Sequence, residues 1–311
     1  MDIKQLRHFL AIVEEGSFSR AALRIGVAQP ALSLRVRKME EALGTPLLLR
    51  SAGGVTPTEA GELLARRART LLADLDRTEE EIRSLGAEPS GKVRIGLPGT
   101  ISGIVSVPLI ALMRARHPRI RLNIAEAMSG FVAEWLRDGR IDLAVLYTDM
   151  PEAGIAARPL LAEELVVLTP PGANGPEIES LSALADMALV LPSAAHGLRA
   201  MIDRGLRAHG VSVEPAIEVD SYANIKRLVA AGYGSSILPF HAVAAEAQSG
   251  ALTVRRFAHP RLWRRAHLAS ATARPMTRAA AAVAEALCEV SARLIADGMW
   301  AGARRLGPDQ S

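Results

Sequence analysis

The sequence predicts an α/β protein in three parts: an N-terminal winged helix-turn-helix, one long helix, and a C-terminal domain of two α/β lobes. Three observations carry this prediction. Ser17 to Gly44 reads as two helices around a tight turn, Thr58 to Leu85 holds no proline and only Gly61 as a breaker, and beyond Gly91 β-branched runs alternate with helical patterns.

Ile3, Leu6, Phe9, Leu10 and Val13 recur at helical spacing, so a first helix lays an apolar stripe on the helix pair and ends at Gly16. Ser17 is placed to cap the next helix, the small pair Ala21-Ala22 allows close approach of a neighbour, and Gly26 gives the turn its backbone freedom. The following helix opens on Gln29-Pro30, where the missing proline N–H had no helical partner to lose. It carries Leu32, Val36, Met39 and Leu43 inward until Gly44 ends it. Gln29, Ser33, Arg35, Arg37 and Lys38 are then expected on its outer faces, residue types that reach base edges and phosphates in a major groove. Leu47-Leu48-Leu49 followed by Ala52-Gly53-Gly54-Val55 reads as strand and turn, the place of a wing carrying Arg50.

Thr58 caps the long helix. Along it Leu64, Ala68, Leu71, Leu75, Thr78, Ile82 and Leu85 alternate spacings of four and three, a coiled-coil seam over three heptads. Arg66, Arg67, Asp74, Arg77, Glu80 and Glu81 charge the opposite face, so Leu64, Leu71, Leu75 and Ile82 are expected to pair with a second copy of the chain. A helix laid on its own domain is the alternative. The stretch from Gly86 to Gly91, with Pro89, then breaks the helix as a hinge.

Strand-like runs at 93–97, 120–125 and 141–147, separated by helical patterns at 104–116 and 131–138, imply parallel βαβ units. A second set has strands at 165–169, 188–191, 216–219, 235–238 and 252–256, with helices near 198–208, 223–231 and 242–248; a last helix, 277–296, returns to the first lobe. The predicted division is a head at 1–57, a linker helix at 58–86, a hinge at 87–91, lobe I at 92–163 and 268–300, and lobe II at 164–267.

Alanine inflates the 49% hydrophobic content and the mean hydropathy of +0.17. The uncharged run Ile95 to Met113 contains Pro98, Pro108 and glycines 96, 99 and 103, which excludes a continuous spanning helix. Asp2, Lys4, Arg7 and Glu14 interrupt any signal-peptide core, so a cytoplasmic protein with no membrane partner is expected. Most of the net charge of +4 sits at the front, where residues 1–57 hold eight Lys/Arg against five Asp/Glu, and this distribution suits a polyanionic partner. The single cysteine, Cys288, cannot make an internal disulfide and reads as a small buried apolar residue.

The run F-L-A-I-V-E-E-G-S-F-S-R-A-A at Phe9 to Ala22, Q-P-A-L-S at Gln29 to Ser33, M-E-E-A-L-G at Met39 to Gly44 and T-E-A-G at Thr58 to Gly61 resemble the LysR-type transcriptional regulators. Residues 91–297 resemble that family's effector-binding domain. Within it G-L-P-G-T, E-A-M-S-G-F-V-A-E-W-L and G-R-I-D-L-A-V-L-Y are similar to the family's nitrogen-assimilation regulators. The resemblance implies a two-lobed, periplasmic-binding-protein-like (type 2) effector domain behind the head and linker. It implies a dyad-symmetric promoter site in double-stranded DNA, bound by a dimer or a tetramer of two dimers, with RNA polymerase as a further partner. Gln29, Pro30, Ser33, Arg35, Lys38 and Arg50 are the implied DNA contacts.

A small polar or anionic metabolite is expected between the lobes, at strand C-terminal ends where free helix N–H groups and hydroxyls gather. Thr100, Ser102, Ser129, His196, Gly197 and Tyr222 occupy such places; plain helix capping is the alternative for each. Arg199 could pair a carboxylate, but is read as a solvated helix residue. Three departures stand out: Ala28 replaces a usual Ser or Thr cap, Leu34 stands where a basic residue is common, and the wing keeps one arginine. An α/β enzyme or a solute-binding protein is the competing class. No G-x-S-x-G elbow or P-loop is present and the seven histidines are scattered, so neither catalysis, cofactor nor metal is expected.

Overall fold

The computed structural model describes residues 1–51, 53–83, 88–147, 153–173, 175 and 177–306, and of Glu80, Glu81, Arg83 and Ser129 the backbone alone. The head begins with α1 (Ile3–Glu15), α2 (Phe18–Ile25) and α3 (Gln29–Leu43). Asp2 and Gln5 form a reciprocal capping box on α1, and the Ser17 side chain accepts the Arg20 N–H on α2. At Ala28 no side chain caps α3, whose first turn contains Pro30. The antiparallel hairpin of β1 (Leu48–Ser51) and β2 (Gly54–Pro57) is the wing. Phe9, Ile12, Leu32, Val36 and Leu47 fill the core between them.

Helix α4 (Glu59–Arg83) starts where Thr58 Oγ1 accepts the Gly61 N–H at 3.0 Å. Gly61 is required by close approach rather than by its dihedral angles: a Cβ there would lie 2.0 Å from the Leu47 carbonyl oxygen. The expected seam divides in two. Ala65, Ala68 and Leu72 are buried in the head, with Leu64 packed against them, whereas Leu71 and Ile82 are 56% and 63% exposed. Leu64 and Ala68 therefore belong to the chain's own core, because the first turns of α4 cover α1. Residues 84–87, the end of the expected linker helix with Leu85 and the first residue of the expected hinge, lie outside the described residues.

Lobe I is built from β3 (Gly91–Leu97), α5 (Gly99–Arg116), β4 (Ile120–Glu126), α6 (Ser129–Arg137) and β5 (Leu143–Tyr147), with β3 parallel to both β4 and β5. Strand β6 (Ile155–Thr169) then leaves it. Lobe II follows with β7 (Glu177–Ile178), β8 (Val190–Leu191), α7 (Gly197–Arg207), β9 (Ile217–Glu218), α8 (Tyr222–Ala230), β10 (Ser236–Pro239), α9 (Ala244–Gln248) and β11 (Thr253–Phe257). The chain returns through β12 (Trp263–Ala271), α10 (Arg278–Ala296) and β13 (Ala303–Arg305).

The two long strands that join the lobes correct the sequence-based elements. Strand β6 is fifteen residues long, not five; its first part pairs with β12 and its last with β10 and β11. Strand β12 was not expected at all. Arg158, Glu163 and Glu164 in one, and Arg264, Arg265 and His267 in the other, break the apolar alternation by which strands are read. Each lobe has its own core, one around Ile95, Leu109 and Leu287 and the other around Val166, Ile202 and Ile237. Among the described residues no helix is long and apolar enough to cross a membrane.

Candidate functional site

On α3, Leu32, Val36 and Met39 point inward, leaving Gln29, Pro30, Leu34, Arg37 and Lys38 exposed. Ser33 is half-buried and accepts a hydrogen bond from Arg50 Nη2 at 3.0 Å; the Arg50 guanidinium also lies 4.3 Å over the Phe18 ring. Helix and wing are thus tied side by side. Arg35 is not on the outer face. Its Nη1 lies 2.7 Å from His8 Nδ1, because position 35 sits beside the buried row 32, 36 and 39 and is turned toward α1. Burial, then the nearby Arg35 charge, pushes the His8 pKa down. The exposed face therefore centres on Leu34 and Arg37.

Between the lobes lies a cavity of about 500 Å³, at the C-terminal ends of β3, β4 and β5 on one side and the starts of α7 and α8 on the other. Thr100, Glu126, Met128 and Tyr147 line it from lobe I; His196, Gly197, Met201, Asp220 and Tyr222 line it from lobe II. Four of the expected residues are there. Ser102 is not: it lies two positions, about 200° of helix rotation, from Thr100 and meets Ser106 at 3.1 Å instead. The Ser129 side chain lies outside the described residues. His196 does double duty, since its Nδ1 accepts the Leu198 N–H at 3.1 Å while its ring stands 5.7 Å from that of Tyr222. Burial pushes the His196 pKa down, with Asp220 opposing and Arg264 assisting.

The centre of the cavity floor was missed by sequence reasoning. Arg264, on β12, is 2% exposed and reaches the cavity wall. Its Nε donates to Glu163 Oε2 at 2.7 Å, its Nη2 donates to Thr100 Oγ1 at 2.9 Å, and its guanidinium stacks 3.9 Å from the Tyr147 ring centroid. Glu163 also accepts from Tyr147 Oη at 2.6 Å and Trp300 Nε1 at 2.9 Å, and His241 Nδ1 stands 2.8 Å away. Burial would raise the Glu163 carboxyl, but Arg264, His241 and Tyr147 outweigh it and hold it well below the usual range. One signal was available. Arg264 shares the inward phase of Ala266 and Leu268, and Glu163 interrupts a long apolar run; charge in an apolar phase marks a buried pair.

Arg199 is buried, not solvated: it binds Asp203, Glu218 and the Pro192 carbonyl, and so supports α7 without facing the cavity. Cys288 on α10 is half-buried, and burial pushes its thiol pKa up. No group of three or more His, Cys, Asp or Glu among the described residues has metal-holding geometry.

The model for the bacterial regulatory helix-turn-helix protein of the lysR family matches residues 3–62, and that for the LysR substrate binding domain matches residues 86–292. The chain belongs to the LysR family of transcriptional regulators. This LysR-type chain is 34% identical over 240 residues to the nitrogen assimilation regulatory protein nac of Klebsiella aerogenes, covering 77% of this chain and 78% of that one. It is 35% identical over 303 residues to a probable hydrogen peroxide-inducible genes activator of Streptomyces viridosporus, covering 95% and 97%. Among solved structures, a cysteine-to-aspartate variant of full-length OxyR from Pseudomonas aeruginosa matches with a TM-score of 0.73 at 26% identity, covering 100% of this chain and 99% of that one. Full-length BenM matches with a TM-score of 0.57, also at 26%, covering 97% and 99%.

Proposed function

We propose that this LysR-type regulator binds a dyad-symmetric promoter site in double-stranded DNA as a dimer or tetramer, in the cytoplasm and with RNA polymerase as partner, and that a small polar metabolite in the inter-lobe cavity modulates it. The observation that carries the DNA half is the open face of α3, where Gln29, Arg37 and Lys38 are exposed over the buried Leu32, Val36 and Met39. In this reading Gln29, Ser33 and Arg37 meet base edges, Pro30 sets the approach, and Lys38 and Arg50 hold phosphates. Arg35 supports α3 from behind. Leu71 and Ile82, exposed on α4, join two chains so that two heads reach half-sites about one or two DNA turns apart. Thr100, His196, Gly197, Tyr222 and Arg264 form the metabolite site. No catalytic role is assigned to any residue.

Selection of randomised duplexes by the full-length protein, followed by fluorescence anisotropy, tests the DNA half. An inverted repeat should be enriched and bound tighter than scrambled duplex by a factor of about 10³ or more at physiological salt. Equal affinity for selected and scrambled duplexes would overturn it.

A further inference from the structure

Three of the cationic or N–H-rich features around the cavity have an acidic group of the protein itself beside them. Arg264 is matched by Glu163 at 2.7 Å. Beside the uncapped start of α5 lies Glu126, whose Oε1 stands 2.9 Å from where a Cβ on Gly99 would lie. The backbone N–H and hydroxyl of Ser193 are taken by Asp220 at 2.9 and 3.1 Å. Among the described lining residues Arg264 is the one cation, and Glu126 and Asp220 are the acids. Arg264 and Glu163 cancel, so the lining is left with two further carboxylates and no cation to match them, around a floor that still offers hydrogen-bond donors. Such a wall repels a second plain carboxylate and attracts a cation.

We propose that the ligand of this cavity is zwitterionic: a protonated amine faces Glu126 and Asp220, while a carboxylate or comparable acceptor faces Arg264, Thr100 and Tyr222. The inference rests on the cavity being the effector site, and it narrows the expected polar or anionic metabolite to one class. Geometry supports both ends. Arg264 has five N–H donors, and Glu163 and Thr100 account for two of them. Tyr222, from the opposite lobe, lines the same cavity as Arg264, so an acceptor placed between them touches both lobes at once. Met128 and Met201 supply adaptable apolar wall for the carbon skeleton, and about 500 Å³ lies within the range of about 300 to 1,000 Å³ typical of small-molecule sites.

The test uses the full-length protein and probes matched in length but not in charge: ε-aminocaproate, caproate, adipate and hexylamine, together with the protein amino acids, read by thermal unfolding and titration calorimetry. Zwitterions should raise the unfolding midpoint with saturable binding, and adipate should not. Glu126→Gln, at an exposed position, should weaken the zwitterion hit by about tenfold and improve caproate relative to it. If caproate or adipate binds the wild type at least as tightly as the zwitterions, or if Glu126→Gln leaves the hit unchanged, the ligand class is overturned while the cavity stands as an effector site. If no probe of any charge pattern binds either protein, the effector reading itself falls with it.

Discussion

Glu163 gathers donors from β5, β12 and the segment after α10, with His241 of lobe II beside it, so one carboxylate holds both lobes and the chain's C-terminal end together. Removing its charge leaves Arg264 buried without a counter-ion, which is far costlier than never having buried the pair. Glu163→Gln should lower unfolding free energy by about 3 kcal/mol in urea denaturation; a loss below about 1 kcal/mol would mean that water or Tyr147 compensates the guanidinium. At the other end of the chain, two neighbouring arginines on α3 have different surroundings. Arg37→Ala should weaken binding to the selected duplex by about 1 to 3 kcal/mol and relax specificity at one base position, as expected for one lost base contact. Arg35→Ala should leave both alone and lower the thermal midpoint, since Arg35 is bonded to His8 inside the head. The reverse pattern in anisotropy titrations would show that α3 presents its other edge.

At the scale of elements, α4 does two jobs along its length. Its first turns are core, and Gly61 is the position that allows this. In a helix Gly→Ala ordinarily stabilises by up to about 1 kcal/mol, yet Gly61→Ala should destabilise by at least about 2 kcal/mol, because the added methyl meets the Leu47 carbonyl oxygen at 2.0 Å. Thermal unfolding checks the sign. Farther along, Asp76 still binds Arg7 of α1 at 2.8 Å, while Leu71 and Ile82 face outward. Leu71→Glu combined with Ile82→Glu should raise the dimer dissociation constant of the full chain by 10² or more, since each desolvated leucine-sized contact is worth about 1.5 to 3 kcal/mol. Sedimentation at micromolar concentration should show a smaller species; an unchanged one would place self-association on the effector lobes.

Across the whole molecule, α4 is also docked on lobe I of its own chain. Arg77 Nη2 donates to Asp142 Oδ1 at 2.9 Å, Thr70 Oγ1 lies 3.3 Å from the Asp138 carbonyl, and Arg274 Nη2 binds the Arg137 carbonyl at 2.8 Å with Asp74 beside its Nε. Arg77 and Asp142 are both largely buried, so their bond escapes the screening that weakens surface pairs. A double-mutant cycle of Arg77→Ala and Asp142→Ala should show a coupling of about 1 to 3 kcal/mol, and strict additivity would mean that the helix swings free of the lobe. The arrangement has a functional side. Strand β12 carries Arg264 at the cavity end and leads directly into the turn of Arg274 at the α4 end, so one rigid strand touches both places.

The sequence by itself determined the elements whose information is local. Periodicity and caps placed α1 to α3 and the start of α4, Ala28 announced an uncapped α3, and the strand-to-helix alternation after Gly91 gave two α/β lobes with Thr100, His196, Gly197 and Tyr222 near strand ends. Tertiary structure decided what depends on who lies opposite. The side of α3 that faces α1 took Arg35 inward, the head core claimed Leu64 and Ala68 from the seam, and helix rotation separated Ser102 from Thr100. Arg264 and Glu163 were the least legible, since they are about a hundred residues apart and each looks like a surface charge on its own strand. Only when β6 and β12 pair does each desolvate the other, and a buried charge is stable there because its partner arrives from far along the chain.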